Sequence, residues 1–257
     1  MRKAIQAGLP FVFIAIAHLS GPAAAQDPAT QRDPETVAAL ERMGAALRAM
    51  DSFAMHGDVT REDVLSTGQK IQYSGTLDIQ SRSRNAFRID FLSSRQNRSF
   101  YYDGQNLTVV APRANYYASA PVTGTNGDVV QRAREKFDID FPLADLFTFG
   151  ADPAAITRIT SAIPIGLETI NGQQCAQHAM RQEGIDWQVW IREGDNPLPC
   201  KIVITTTSDP SMPQYSAVLN WEPRQTFAEG TFTYSPSASS RRIALGSVPA
   251  SLAPTGN

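Results

Sequence analysis

Asp186-Trp187-Gln188-Val189-Trp190-Ile191-Arg192 is a short β-prone run that carries two tryptophans three positions apart. Before it stands Gln174-Cys175-Ala176-Gln177-His178-Ala179-Met180, and after it Lys201-Ile202-Val203-Ile204-Thr205. Glu183-Gly184 supplies a turn in which φ can become positive, and Gly194-Asp195-Asn196-Pro197-Leu198-Pro199 makes a wider loop whose prolines cannot donate to a ladder. The run therefore reads as the middle of three consecutive antiparallel strands. Three positions is an odd step on a pleated strand, so Trp187 and Trp190 face opposite sides of the sheet. One can line a cavity while the other packs outside, under an N-terminal helix.

That helix is signalled upstream. Asp33 can cap it, Pro34 suits the first helical position and Glu35 suits the positive end of the dipole. Val37, Leu40, Met43 or Gly44, and Leu47 then recur at helical spacing up to a stop near Met50.

From Ser52 the period changes to two. Strands are expected at 53–65, 69–80, 86–92, 99–103, 106–111 and 115–120, separated by turn clusters of which Asp103-Gly104 is the sharpest. Phe87, Ile89 and Phe91 point one way while Arg88 and Asp90 point the other. Phe100 shares a face with Tyr102, and Leu107 shares one with Val109. One side of this sheet is apolar and aromatic, and something must cover it. The next segment can do so, with a helix over 128–137 capped by Asn126 or Asp128, followed by the apolar Phe141-Pro142-Leu143-Ala144-Asp145-Leu146-Phe147-Thr148-Phe149. Two readings of that stretch stay open: a lid over a curved sheet, or a plug that fills the core. Strands resume over 158–164 and 167–170, pass through the tryptophan meander, and continue at 214–221 and 231–234. Arg241-Arg242-Ile243 can add an edge.

Cys175 and Cys200 are the only cysteines. In a regular meander they lie two strand spacings apart, roughly 9–10 Å, beyond the roughly 7 Å that a disulfide allows between Cα atoms. Two thiols are expected.

At the start, Met1-Arg2-Lys3 is a basic tip, residues 4–17 are apolar apart from Gln6, and Ala23-Ala24-Ala25 precedes Gln26. This is the layout of a secretory signal peptide, with cleavage expected after Ala25. Its apolar run falls short of the roughly 20 residues that span a bilayer, so no transmembrane anchor is expected in the mature protein. One domain over 26–245 and a disordered tail over 246–257 complete the organisation. Loss of Arg2 and Lys3 with the leader takes the formal net charge from −2 to −4. An acidic chain without a basic block is a poor nucleic-acid or anionic-membrane binder.

The residues offer little chemistry. The mature chain has His56 and His178, both in expected strands, and neither has a Ser, Cys or Asp pattern suggesting a nucleophile with its base. There is no phosphate loop, no nucleophile elbow and no His and Cys cluster at metal spacing. No catalytic residue, metal or cofactor is expected.

Several stretches together resemble a family of predicted periplasmic bacterial proteins of unknown function, related to the lipoprotein carriers LolA and LolB. They are Asp33-Pro34-Glu35 with its helix, Gly68-Gln69-Lys70-Ile71-Gln72-Tyr73, Phe100-Tyr101-Tyr102-Asp103-Gly104, Phe141-Pro142-Leu143-Ala144-Asp145-Leu146, Gly166-Leu167-Glu168, residues 186–191 and Pro197-Leu198-Pro199. The resemblance implies a mainly β, LolA/LolB-like curved antiparallel half-barrel, with an N-terminal helix and an inserted helical lid over a face that accepts acyl chains.

Two functions follow. The first is a periplasmic, non-enzymatic carrier of a hydrophobic ligand, a lipid or lipoprotein acyl chain, expected to be a monomer. Its cavity would use Phe87, Ile89, Phe91, Phe100, Tyr102, Leu107, Val109, Leu143, Leu146, Phe147 and Trp187. The second is an envelope protein-interaction or sensor module with the same fold and a filled core.

Overall fold

The computed structural model describes residues 31–143, 145–150 and 153–246. The expected leader and its cleavage site lie outside the described residues, as does the expected tail apart from Gly246.

Helix α1 (Pro34–Ala49) begins as its sequence dictates: the Asp33 carboxylate accepts the Thr36 backbone N–H at 2.8 Å, and Pro34 opens the first turn. It ends at Met50, whose backbone is extended. A first meander follows: β1 (Ser52–Val64), β2 (Lys70–Arg82), β3 (Ala86–Ser93), β4 (Asn97–Tyr102), β5 (Asn106–Ala111) and β6 (Tyr116–Pro121). Three helical pieces come next, α2 (Asn126–Phe137), α3 (Asp145–Thr148) and α4 (Pro153–Thr157). The second meander is β7 (Ser161–Ile170), β8 (Gln173–Gln182), β9 (Ile185–Arg192), β10 (Pro199–Thr206) and β11 (Gln214–Pro223), with a two-residue β12 (Arg241–Arg242) at the end.

The twelve strands of the described residues form one sheet in the order β12-β6-β5-β4-β3-β2-β1-β11-β10-β9-β8-β7. The two meanders meet where β1 pairs antiparallel with β11, from Phe53 opposite Pro223 to Arg61 opposite Tyr215. Among the strands of the described residues only β12 runs parallel to its neighbour, β6. Sheets of more than about ten strands curl, and this one curves over its helices while its edges stay unjoined. At the β7 edge, Ala162 exchanges backbone hydrogen bonds with Gln31 and Asp33, and a bulge at Pro164/Gly166 interrupts the ladder.

The inner face holds two apolar clusters. Under α2, Phe87, Ile89, Tyr102 and Leu107 pack with Val129 and Ala133; under α1, Leu40 and Met43 pack with Ala162, Met180, Val189 and Ile191. Full burial of a side chain such as Phe87 contributes roughly 1.5–3 kcal/mol.

Four sequence expectations are corrected. The cap of α2 is Thr125, in a reciprocal box with Asp128, while Asn126 is buried and donates its amide to Ser81 Oγ at 2.9 Å. Residues 158–160 are not strand: α4 precedes them, and β7 begins at Ser161. Residues 231–234 are not strand: Thr231 N–H bonds Ala228 C=O, Thr233 N–H bonds Gly230 C=O, and the buried Phe232 ring packs on Phe227.

The fourth correction is the cysteine pair, which forms a disulfide with Cα atoms 6.7 Å apart. The expected strand order is right, but the strand is irregular. Pro199 pairs with Ile191 and Lys201 with Trp190, so β10 takes two steps where β9 takes one. Cys200 is the additional residue of this bulge. Regular alternation would put it on the inner side with Ile202 and Ile204; instead it turns outward to join Cys175 and Trp190 in a small outer cluster.

Candidate ligand cleft

Between β9, β10 and β11 on one side and α1, α2 and α3 on the other lies an open cleft of about 710 Å³. Its sheet wall is made by Trp187, Val189, Ile202, Ile204 and Tyr215, which period-two alternation turns to the inner face. Met43 and Leu47 of α1 close one flank, and Leu143, Leu146 and Phe149 form the roof. Leu143 holds a positive φ of 53° where the chain turns from α2 into the roof. The volume falls within the roughly 300–1,000 Å³ of small-molecule sites.

Of the residues expected to line a cavity, Leu143, Leu146 and Trp187 do so. The others meet a filled core. Phe87, Ile89, Phe100, Tyr102 and Leu107 are buried, while Phe91, Val109 and Phe147 are partly buried against the same cluster. The segment after α2 does the filling. Phe141 lies 4.7 Å from Phe100 and 5.9 Å from Phe87, and Phe147 lies 5.7 Å from Phe87 and 6.4 Å from Phe53, ring centre to ring centre. The open readings thus divide: Phe141 and Phe147 plug the first half, and Leu143, Leu146 and Phe149 roof the cleft.

Sequence reasoning missed Val189, Ile202, Ile204, Tyr215, Met43 and Leu47 as wall residues, while Phe149 belongs to the stretch it read as a lid. Val189 carried a usable signal, since it shares the face of Trp187 by strand alternation; Ile202 and Ile204 join that face through their pairing with Val189 and Trp187. Tyr215 carried none.

The tryptophans do face opposite sides. Trp187 meets Phe149 edge-on at 6.2 Å and donates its indole N–H to Gln182 at 3.3 Å. Trp190 donates to Glu168 at 2.6 Å on the outer face, beneath the Lys201 ammonium. Neither packs outside under a helix: α1 lies on the inner face, in the cluster that Trp187 joins.

The electrostatics of the cleft are simple. Burial pushes the Tyr215 hydroxyl far above the usual phenol range, so it stays neutral. Arg134 on α2 donates Nε–H to Asp140 at 3.1 Å, and Gln131 donates to Glu135 at 2.9 Å. On the other flank of α1, a second cavity of about 390 Å³ borders His178. That histidine is 6% exposed, with Nδ1 3.2 Å from Thr36 Oγ1 and Nε2 unpartnered among the described residues. Burial is the main cause that lowers its pKa. His56, on the exposed side of β1, has its pKa raised by a 2.7 Å hydrogen bond to Asp78. Among the described residues, no three His, Cys, Asp or Glu side chains converge on a point that could hold a metal ion.

Fold and cleft together define an open antiparallel half-barrel, mainly β, with a helical cover over its inner face. The chain belongs to the family described as predicted periplasmic protein (DUF2092), which matches residues 36–246. No curated protein matches it by sequence. Among solved structures it is similar to the Mycobacterium tuberculosis lipoprotein LppX, at 13% identity and a TM-score of 0.49, over 77% of this chain and 99% of that one. It is also similar to LprF from Mycobacterium bovis, at 13% identity and a TM-score of 0.45, over 77% and 98%. A third is a putative outer membrane lipoprotein-sorting protein domain from Vibrio parahaemolyticus, at 8% identity and a TM-score of 0.35, over 77% and 96%. Among the described residues no helix is long and apolar enough to cross a membrane.

Proposed function

We propose that this protein works in the periplasm as a non-enzymatic binding or carrier protein for a hydrophobic ligand, a lipid or an acyl chain. The ligand lies in the cleft between Trp187, Ile202 and Ile204 below and Leu143, Leu146 and Phe149 above. The observation that carries this reading is the cleft itself, an apolar-walled space left open where the other half of the same face is packed.

Magnitudes restrict the ligand. Burial contributes about 0.8 kcal/mol per methylene, whereas association costs roughly 4–15 kcal/mol in lost freedom. On the order of ten buried methylenes are needed before binding is useful, so a long chain is required. Release then needs the roof at 143–149 to lift.

The test is uptake of a fluorescent fatty-acid probe by the purified mature chain, with native mass spectrometry for co-purifying lipid. Saturable uptake is expected, weakened severalfold by Leu143→Asn, since asparagine tolerates a positive φ but removes the apolar wall. No probe uptake together with no lipid would overturn the reading. The same sample, exported from cells and sequenced from its N-terminus, should begin at Gln26.

The second reading, an envelope interaction module, draws support from one observation. On edge strand β7, Ile165 is 51% and Leu167 68% exposed, and an apolar sheet edge suits strand addition by another protein. It predicts a protein partner in pull-down and a lipid-free cleft.

A further inference from the structure

The sequence, with a formal net charge of −2, holds no basic block. The fold assembles one. Antiparallel connection puts the β3–β4 turn, the β5–β6 turn and the start of β12 at one end of the sheet, side by side at its β6 edge. These stretches are Leu92-Ser93-Ser94-Arg95-Gln96-Asn97-Arg98, Pro112-Arg113-Ala114-Asn115-Tyr116-Tyr117 and Arg241-Arg242-Ile243, which together hold five arginines and no acidic residue. Hydrogen bonds tie them to one another: Arg113 donates to the Ser93 and Ser94 carbonyls at 2.8 Å each, Arg241 N–H bonds Asn115 C=O at 2.8 Å, and Ile243 N–H bonds Tyr117 C=O at 2.9 Å. The positive charge is not cancelled. Arg98 donates to Asn97 C=O, Arg242 donates to Ser119 C=O, and Arg95 lies 4.3 Å over the Tyr73 ring, all neutral partners. Asp90, at the root of the β3–β4 hairpin, is engaged by Arg88 and Ser99, while Glu62 and Asp63 on the β1–β2 hairpin are engaged by Lys70 and Arg61. Apolar side chains stand exposed among the arginines. Leu92, Tyr116 and Ile243, with Leu65 and Met212 on other turns at this end, are five of the seven large apolar side chains exposed among the described residues.

We propose that this end of the sheet docks on an anionic phospholipid bilayer, its arginines on the headgroup phosphates and Leu92, Tyr116 and Ile243 set into the interface. Guanidinium suits that surface, since its planar fork matches phosphate oxygens and stays charged at any physiological pH. Each basic residue close to an anionic membrane adds roughly fivefold to partitioning, and tyrosine favours the headgroup level. Exposed apolar side chains interleaved with the charges distinguish a bilayer from a nucleic acid, whose phosphate track rewards charge. Addition of a strand from another protein is disfavoured here, because β12 already pairs with the start of β6. The family is described as periplasmic, a compartment bounded by phospholipid membranes. None of these residues lines the cleft, so the inference does not rest on the carrier reading.

The experiment is cosedimentation of the full mature chain with vesicles of phosphatidylcholine alone and of an equal mixture of phosphatidylcholine and phosphatidylglycerol, at low and high salt. Binding is expected on the mixed vesicles only, and it should fall at high salt as the screening length shrinks. Arg95→Gln/Arg241→Gln should weaken it by roughly tenfold or more, while Arg95→Lys/Arg241→Lys keeps the charge, retains binding and controls for folding. Leu92→Ser/Ile243→Ser should weaken it severalfold at either salt. Arg42→Gln/Arg192→Gln removes the same charge from the other half of the molecule and should leave binding as it is. Equal binding to both kinds of vesicle, no binding to the mixed vesicles, or an equal loss in the Arg42 and Arg192 variant would overturn the assignment. So would retention of an oligonucleotide by a chain that ignores vesicles.

Discussion

The two meanders present similar apolar faces inward and are treated differently by the segment between them. Under β1–β6, Phe141 and Phe147 descend onto Phe87, Phe100 and Phe53 and leave no room. Over β9–β11 the same segment stops short, and a space of about 710 Å³ remains. The more aromatic half is the filled one. Large rings interdigitate and attract one another at 4.5–7 Å, so a face with many of them recruits its own cover; the floor over β9–β11 mixes Trp187 and Tyr215 with Val189, Ile202 and Ile204, and Trp187 meets the roof through Phe149. The open half is instead held from behind, by the Cys175–Cys200 disulfide and Trp190 on the outer face.

Phe87→Ala should break the contrast most severely. Emptying a fully buried site beneath Phe141 and Phe147 should cost about 3–5 kcal/mol in urea unfolding, while the folded fraction keeps its affinity for the acyl probe. Equal loss of probe affinity would mean that the halves are not independent. Next is the staple: Cys175→Ala/Cys200→Ala frees a loop of 25-residue separation and should cost about 3 kcal/mol. Hydrogen exchange should report the loss over β8–β10 before β3–β5 if the open half depends on it. Ile204→Ala should lower stability by only about 1 kcal/mol, since its side chain already faces a void, yet reduce probe affinity severalfold in a titration.

The smallest effect concerns pH. His178 is buried beneath the first turn of α1, among Asp33, Arg42 and Glu193. Its native pKa lies below the usual 6.5, so in acid the unfolded chain binds a proton that the native chain refuses. Its contribution is complete above about pH 6.5 and is lost as pH falls through that window. His56 works the other way: Asp78 raises its pKa, so its contribution is present in acid and is lost as pH rises through the raised value. Melting temperatures between about pH 5 and pH 8 should show His178→Gln flattening the acid limb and His56→Gln removing acid stabilisation. An acid limb unchanged by His178→Gln would free α1 from this role.

What the sequence revealed was local. Asp33-Pro34-Glu35 announced α1 because a cap is decided by neighbours, and strands β1 to β6 were legible because alternation and turn residues act over a few positions. The opposed faces of Trp187 and Trp190 followed from parity alone. The disulfide was hidden because Pro199-Cys200-Lys201 looks like any strand entry, and only pairing with β9 reveals the additional residue. The site was legible in part for a related reason. Leu143, Leu146 and Trp187 could be placed at a lid and a floor, but which rings the lid would bury depends on where the segment after α2 lands, and that is set by contacts with strands far away in the chain.

The seam between β1 and β11 bears on how the molecule comes into being. Phe53 waits for Pro223, so the sheet cannot be completed until synthesis has passed Pro223. Contacts so distant along the chain slow folding. A protein wired this way stays threadable late in its synthesis, the state in which a chain can still be passed through a narrow translocation pore.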